Sequence, residues 1–336
     1  MSRLRVALVG FGPWGRNIFS AVQKSVPELH LLAVCTRQPL SAEDARALAD
    51  VGVEHSIDWL SMADSERMEG MLVAAGGRAN GQMLEHCLRR GLDCFVEKPA
   101  IIDPRQQERV LHEWTRHMLR PAVLVDYVHL FHPLWTVLRK NCPAASIAGV
   151  VTQSGGPGPF REESALWDWG SHDVAMAADV LGLADWWGVR PQHYRGLSAA
   201  EKREACTRGG QCGSAWTFEL EVARPHEDVG RAVRVSVSNL DAAKHRSFEV
   251  RLRDGQVWKY DGEHLFSGSP QTIEMIEMIG PGPSLQPLTR ALKSFAQKAL
   301  GQPLDEPSHA RLFGLDLPDL VTRVLADVER RVERRA

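Results

Sequence analysis

The first third of the chain alternates short apolar runs with segments of helical spacing. The segments between the runs place apolar residues every three or four positions, as amphipathic helices do. Continuously apolar strands that alternate with helices are typical of a parallel sheet covered on both faces. The pattern predicts strands at residues 4–10, 30–36, 68–77 and 93–99 and helices at residues 14–26, 45–52 and 81–91.

A different pattern begins near residue 145. Residues 231–240 alternate valines with polar residues, which is typical of a strand with one face in water. Residues 246–262 continue as a hairpin whose turn is Asp254-Gly255. Further strand-like segments lie at residues 186–196 and 215–225. These segments predict an open, mainly antiparallel sheet.

The change of pattern predicts two domains. Residues 1–122 form an α/β domain, and residues 123–336 form an α+β domain. A helix at 104–119 and a strand at 122–131 lead from one to the other. Helical segments close the chain, and we expect that they can pack back on the first domain.

Composition narrows the class of protein. The 336 residues are 44% apolar and 24% charged, with a net charge of −2, so nothing favours a nucleic-acid or membrane-surface partner. The first residues pass straight into an apolar run, which predicts no signal sequence, and no apolar stretch approaches a membrane span. Six scattered cysteines without a C-x-x-C pair predict a reduced, cytoplasmic protein without a metal site.

The first predicted strand ends in a glycine motif. Gly10, Gly12 and Gly15 stand in G-x-G-x-x-G order between a strand and a helix. In this context the glycines allow a tight turn, a close approach to a pyrophosphate and close packing of helix on strand. The motif predicts a doubly wound Rossmann domain whose cofactor contacts in this turn include Phe11, Pro13 and Trp14.

The end of the second strand bears on the choice of cofactor. NAD-binding domains usually place Asp or Glu about 20 residues beyond the glycines, where it binds the ribose 2′-hydroxyl. Thr36 and Arg37 occupy that place here, and the first acid is Glu43. A hydroxyl and a guanidinium suit a 2′-phosphate, so we expect NADP(H) to be favoured, with NAD(H) possible.

Several stretches together resemble the Gfo/Idh/MocA family, the group of glucose-fructose oxidoreductase and inositol dehydrogenase. The fourth strand ends in Glu97-Lys98-Pro99, and residues 167–173 place Asp168 and His172 in an Asp-x-x-x-His pattern. The glycine turn, the helix–Gly–strand layout of residues 87–99 and the segment 125–133 agree with the family as well. The resemblance spans nearly the whole chain.

The resemblance implies hydride transfer between nicotinamide and a secondary alcohol. It assigns His172 as the base and Lys98 as the partner of the reacting oxygen or the nicotinamide ribose. Asp168 would orient His172 or bind a neighbouring hydroxyl, and Glu97 would contact ribose or backbone. Pro99 would shape its turn, since in the family the bond before it is often cis.

One loop departs from the family pattern. Members often have a Pro after the third Rossmann strand and a His at the start of the next helix. Here Gly76 and Gly77 come early in the loop, and Asn80 stands where the His is expected. Asn80 is therefore a predicted cofactor contact in a loop of altered geometry.

The residues alone leave two interpretations of the catalytic segment open. Asp168 and His172 are four residues apart and would share one face of a helix. They would form either a capped helix start or an acid–base pair. Three further residues are candidate substrate contacts with structural alternatives, namely Tyr127, Arg161 and Trp169.

The sequence therefore predicts an NAD(P)-dependent oxidoreductase that acts on a sugar, a cyclitol or a nucleotide-sugar. The alternative is a non-catalytic sensor or regulator that binds NAD(P) on the same fold. A sheet with one face uncovered by helices would expose apolar surface, so we expect a homodimer or homotetramer joined through residues 217–262.

Overall fold

The computed structural model describes residues 2–157, 163–183, 189–195, 213–222, 231–278 and 286–334. The chain divides into two compact units. The first comprises residues 1–131 and 282–315, and the second comprises residues 132–281 and 316–336.

The first unit contains a six-stranded sheet in the order β3-β2-β1-β4-β5-β6, and every neighbouring pair is parallel. The predicted parallel sheet is thereby confirmed, with β1, β2, β4 and β5 as its apolar strands. The strands are β1 Leu4–Val9, β2 Leu29–Cys35, β3 Glu54–Ser56, β4 Gly70–Val73, β5 Asp93–Glu97 and β6 Val123–Asp126.

Helices connect the strands of the first unit, as right-handed parallel crossovers require. Local signals set their starts: Pro13 opens α1, Ser41 caps α2 and Asp103 caps α5. The helices are α1 Pro13–Ser25, α2 Ala42–Ala49, α3 Trp59–Ala63, α4 Gly77–Arg89 and α5 Pro104–Thr115. A 3-10 turn, Val128–Phe131, follows β6.

A later segment of the chain completes the first unit. The helix near residue 290, called α9 below, spans Pro287–Ala299 and packs on α1, β5 and β6. Its Phe295 meets Phe95 of β5 with ring centroids 5.9 Å apart. Arg290 donates to the carbonyl oxygen of Phe131 at 2.8 Å. The first of the two C-terminal helices thus packs on the Rossmann sheet.

The second unit contains an eight-stranded sheet in the order β14-β13-β12-β11-β7-β10-β9-β8. All neighbours are antiparallel except β7 and β10, so the mainly antiparallel sheet is confirmed. Its strands are β7 Ile147–Pro157, β8 Val189–Arg195, β9 Ala215–Val222, β10 Arg231–Ser238, β11 Leu240–Leu252, β12 Val257–Tyr260, β13 His264–Ser269 and β14 Thr272–Met278.

The helices of the second unit lie against this sheet. They are α6 Pro133–Asn141, α7 Ala165–Asp168, α8 Gly170–Leu181 and the last helix, α10 Asp316–Glu333. All residues of α8 are buried, because α8 contacts β7 and β10 on one side and α10 on another. None of the helices in the described ranges combines the length and the apolar character that a membrane span requires.

Candidate active site

The glycine turn at the end of β1 has the geometry of a dinucleotide-binding turn. Gly10 has a φ of +92°, and a Cβ there would lie 2.2 Å from the carbonyl oxygen of Ala74. A Cβ on Gly15 would lie 2.1 Å from the carbonyl oxygen of Gly10, so only glycine lets α1 pack this closely on β1. A Cβ on Gly12 would meet nothing within 4 Å. The space at Gly12 is therefore open to a ligand at the helix N-terminus.

At the end of β2, the Thr36 hydroxyl forms hydrogen bonds with other groups of the protein. Thr36 Oγ1 donates to the carbonyl oxygen of Gln38 at 2.5 Å and lies 2.7 Å from Nε2 of His55 on β3. A hydroxyl carries one proton, so His55 must donate from Nε2 for both contacts to hold. Arg37 follows directly and is exposed. Arg37 is therefore an exposed cation at this strand end, whereas the Thr36 hydroxyl proton is already donated to the Gln38 carbonyl oxygen.

Asn80 joins two loops of the first unit. Its side chain is completely buried, and its Oδ1 accepts from the backbone N–H of Ala75 at 2.9 Å. Its Nδ2 donates to the carbonyl oxygens of Glu97, at 2.9 Å, and Pro99, at 3.3 Å. The amide thus fastens the glycine-rich loop after β4 to the turn that carries Lys98. Its direct contact with a cofactor stays a prediction.

The turn after β5 holds Lys98 between Glu97 and a cis peptide bond to Pro99. Neither Glu97 nor Lys98 is fully buried. The neighbouring strand end brings in Asp126, which pairs in register with Glu97 and is completely buried. Burial raises the pKa of Asp126 to about 7, against the opposing effects of the nearby Trp14 indole and the Lys98 ammonium.

Asp126 is a candidate site residue that was not predicted from the sequence. Its neighbours Trp14 and Lys98 come from the glycine turn and from the turn after β5, so the fold brings these two motifs to one region. The only sequence signal is an acid that directly ends an apolar strand run. The predicted substrate contact Tyr127 follows it and is also buried, which raises the pKa of its hydroxyl.

The second unit carries the predicted acid–base pair, and the structure corrects one expectation about it. The segment is not one continuous helix, since α7 ends at Asp168 and α8 begins at Gly170. Trp169 lies between them, and its carbonyl oxygen accepts from the backbone N–H groups of His172 at 3.1 Å and Asp173 at 3.3 Å. His172 is buried, with 8% of its surface exposed, whereas Asp168 and Trp169 are half-buried.

A buried ion pair anchors the start of α8. Asp173 is completely buried and binds Arg246 of β11 through one carboxylate oxygen and the Ser154 hydroxyl of β7 through the other. The Arg246 guanidinium also lies over the Trp169 ring, 6.0 Å from its centroid. Strands β7 and β11 therefore fix the residue next to His172. The role of Arg246 was missed, because nothing local to residue 246 indicates its partner.

The predicted substrate contact Arg161 lies outside the described residues. In the ranges that are described, no group of three or more His, Cys, Asp or Glu side chains could hold a metal ion.

Comparison with known proteins bears on this site. Residues 4–125 match the GFO_IDH_MocA family model, described as an oxidoreductase family with an NAD-binding Rossmann fold. The match covers the dinucleotide-binding region, which is therefore similar to the NAD-binding domain of the Gfo/Idh/MocA family. The resemblance inferred from the sequence motifs is thereby confirmed.

Individual relatives are distant. Inositol 2-dehydrogenase 4 from Saccharopolyspora erythraea is 24% identical over 185 residues. The match covers 53% of this chain and 54% of that protein, so it spans about half the length of this curated relative.

Solved structures share the two-domain fold along almost the whole chain. The UDP-N-acetylglucosamine 3-dehydrogenase GnnA from Acidithiobacillus ferrooxidans aligns with a TM-score of 0.77 at 14% identity and 99% coverage of both chains. GenD2 from gentamicin A biosynthesis, solved in complex with NAD, aligns with a TM-score of 0.77 at 15% identity, covering 100% of this chain and 96% of GenD2. At these identities the likeness establishes the fold alone.

Proposed function

We propose that this protein is an NAD(P)-dependent dehydrogenase that acts on a secondary alcohol of a sugar, a cyclitol or a nucleotide-sugar. The observation that carries the proposal is the meeting of two motifs near Asp126, which lies close to both Trp14 of the glycine turn and Lys98. The relatives named for inositol and for a UDP-sugar support the substrate class.

The residues at the glycine turn fit a dinucleotide. The open space at Gly12 and the N-terminus of α1 would hold the pyrophosphate, with Phe11, Pro13 and Trp14 around it. When bound, the cofactor supplies or accepts the hydride. The other steps of the reaction belong to side chains of this chain.

In the proposed mechanism, His172 takes the proton from the substrate hydroxyl. Lys98 donates a hydrogen bond to the same oxygen as it becomes a carbonyl oxygen. Asp168 orients His172 or binds a neighbouring hydroxyl. The ion pair of Asp173 and Arg246 supports the proposal, since it holds the start of α8 in one position.

The activity is tested with a panel of sugars, cyclitols and nucleotide-sugars, followed by nicotinamide absorbance with either cofactor. We expect turnover with at least one member of the panel. Tight cofactor binding without turnover on any member would favour the sensor or regulator instead.

We further propose that NADP(H) is the favoured cofactor, because Arg37 is the exposed cation at the end of β2. Because GenD2 was solved in complex with NAD, the test compares NADP(H) with NAD(H). Arg37→Ala should weaken NADPH binding about tenfold or more and leave NADH binding almost unchanged, as loss of a phosphate partner predicts. Titration by nicotinamide fluorescence measures both. Equal loss for the two cofactors would show that Arg37 does not bind the 2′-phosphate.

The assembly is also a proposal. The described edge of the second sheet exposes the apolar side chains of Ile273, Met275 and Ile276 on β14, and Leu240 on β11 is exposed as well. These side chains support a homodimer or homotetramer formed through the C-terminal sheet. Light scattering at micromolar concentration tests it, and a monomer would end the idea.

The buried thiols of Cys35, Cys87, Cys94 and Cys142 support the proposed cytoplasmic location.

A further inference from the structure

Three ionisable side chains lie at the carboxyl ends of β5 and β6. Glu97 and Asp126 are partners in the parallel register, so their side chains leave the sheet on the same face. Lys98 follows Glu97 directly, and its positive charge acts on Asp126. The fold thus gathers two carboxyl groups and one ammonium group in a small region of the first unit.

Because Asp126 is buried, an uncompensated negative charge on its carboxyl group is energetically unfavourable. The residue is completely buried, and neither carboxylate oxygen has a hydrogen-bond partner within normal distance among the described residues. The indole N–H of Trp14 is buried nearby and is likewise without a hydrogen-bond partner there. A buried carboxylate without hydrogen bonds stays protonated unless a nearby cation compensates its charge.

The groups around Asp126 define its charge balance. Trp14 faces it from α1, and Glu97 and Lys98 face it from the end of β5. Helix α9 also packs on β6, but its Arg290 binds the carbonyl oxygen of Phe131. Among the described residues, Lys98 is therefore the cation whose charge acts on the Asp126 carboxyl group. Burial raises the pKa of Asp126 to about 7, and Lys98 favours its ionised form.

We infer that Asp126 is a positioning residue for Lys98, and that with Glu97 it forms an acidic pair whose shared proton sets the negative charge beside the lysine. With one proton on the pair, one negative charge balances the Lys98 ammonium. When that proton leaves, a second negative charge holds the ammonium more strongly. The meaning of this coupling for catalysis rests on the proposed function, whereas the coupling itself does not.

A double-mutant cycle on stability tests the coupling without any substrate. Lys98→Met removes the charge and keeps most of the side-chain volume. We expect it to lower the urea midpoint more at pH 8 than at pH 5.5, because only at pH 8 does it leave an ionised buried acid without its cation. In an Asp126→Asn background, Lys98→Met should have the same effect at both pH values.

Asp93 supplies the matched control. It is a second acid of β5 whose pKa is raised by burial, to about 6, but it lies at the other end of the strand. In an Asp93→Asn background, Lys98→Met should keep its dependence on pH. If Asp126→Asn does not fold, Glu97→Ala replaces it: the Glu97 side chain lowers the pKa of Asp126, so without it the effect of Lys98→Met should appear at higher pH.

The outcomes separate the inference from the proposed function. The inference is overturned if Lys98→Met has the same effect at both pH values in the parent protein, or if its pH dependence survives Asp126→Asn. Failure of the substrate panel would remove the proposed activity and leave the cycle intact. Where turnover is found, Asp126→Asn should flatten the pH profile of kcat near pH 7, and Asp126→Glu should restore it.

Discussion

The two units hold their candidate site residues in different ways. The first unit relies on close backbone fit, with glycines where no Cβ has room and a buried Asn80 amide that fastens two loops. The second unit relies on a buried charged cluster, in which Arg246 and Ser154 hold Asp173 beside His172. The difference predicts distinct sensitivities: the first unit to an added methyl group, and the second to a lost charge.

The largest expected effect is on the charged cluster of the second unit. Asp173→Ala leaves the buried Arg246 without its counter-charge and should cost about 3–5 kcal/mol of unfolding free energy. Urea denaturation measures it. The matched control is Arg234→Gln, which breaks the exposed pair with Glu219 and should cost no more than about 1 kcal/mol. Similar costs for the two variants would contradict the anchoring role of Asp173.

The next effect separates two glycines of the first unit. Gly10→Ala forces a side chain into a backbone conformation with positive φ and against the Ala74 carbonyl, and should cost at least about 2 kcal/mol. Gly12→Ala has open space and should leave the melting temperature almost unchanged. Both variants should lose cofactor affinity by titration. Normal cofactor binding by Gly12→Ala would show that the pyrophosphate lies elsewhere.

A smaller effect concerns the amide between the two loops. Asn80→Ala removes the partner of one buried N–H and two carbonyl groups, and should cost roughly 1–3 kcal/mol. It should also weaken cofactor binding, because the Lys98 turn loses its support. Asn141→Ala removes an exposed hydrogen bond from the Asn141 side-chain amide to the Val137 carbonyl oxygen. This variant should change the unfolding free energy by no more than about 0.5 kcal/mol. Equal stability of the two variants would rule out the fastening role.

The smallest effect is a pH dependence of stability. Burial raises the pKa of Asp93 to about 6, although the Ala122 N–H opposes this. The folded state therefore binds this proton more tightly than the unfolded state, so the contribution of Asp93 declines as pH rises. Between pH 5 and 7 the loss should be about 1 kcal/mol. Asp93→Asn should remove that part of the slope in urea titrations, and an unchanged slope would refute the assignment.

The parallel sheet could be predicted from sequence because its signals are local. Apolar runs identify β1, β2, β4 and β5, and the glycine motif identifies the turn after β1. The short strand β3, Glu54–Ser56, carries no apolar run and was not predicted. It forms because it pairs with β2, which is a long-range contact.

The second sheet was harder to predict for the same reason. Residues 153–157 contain two glycines and a proline, yet they end β7. A Cβ on Gly155 would lie 2.5 Å from the carbonyl oxygen of Ser238, so close strand packing requires this glycine. Strands β13 and β14, which lie at one end of the sheet, were not predicted either. Asp126 and Arg246 were missed because their partners are distant in sequence.

The central claim is that His172 is the base of a dehydrogenase. The most direct test is kcat of His172→Ala, measured beside its melting temperature on whichever substrate the panel finds. We expect a folded, cofactor-binding protein whose kcat falls roughly 100- to 10,000-fold. His245→Ala, which changes an exposed histidine of the same unit, should keep the parent rate. A stable His172→Ala protein that turns over at the parent rate would contradict the mechanism.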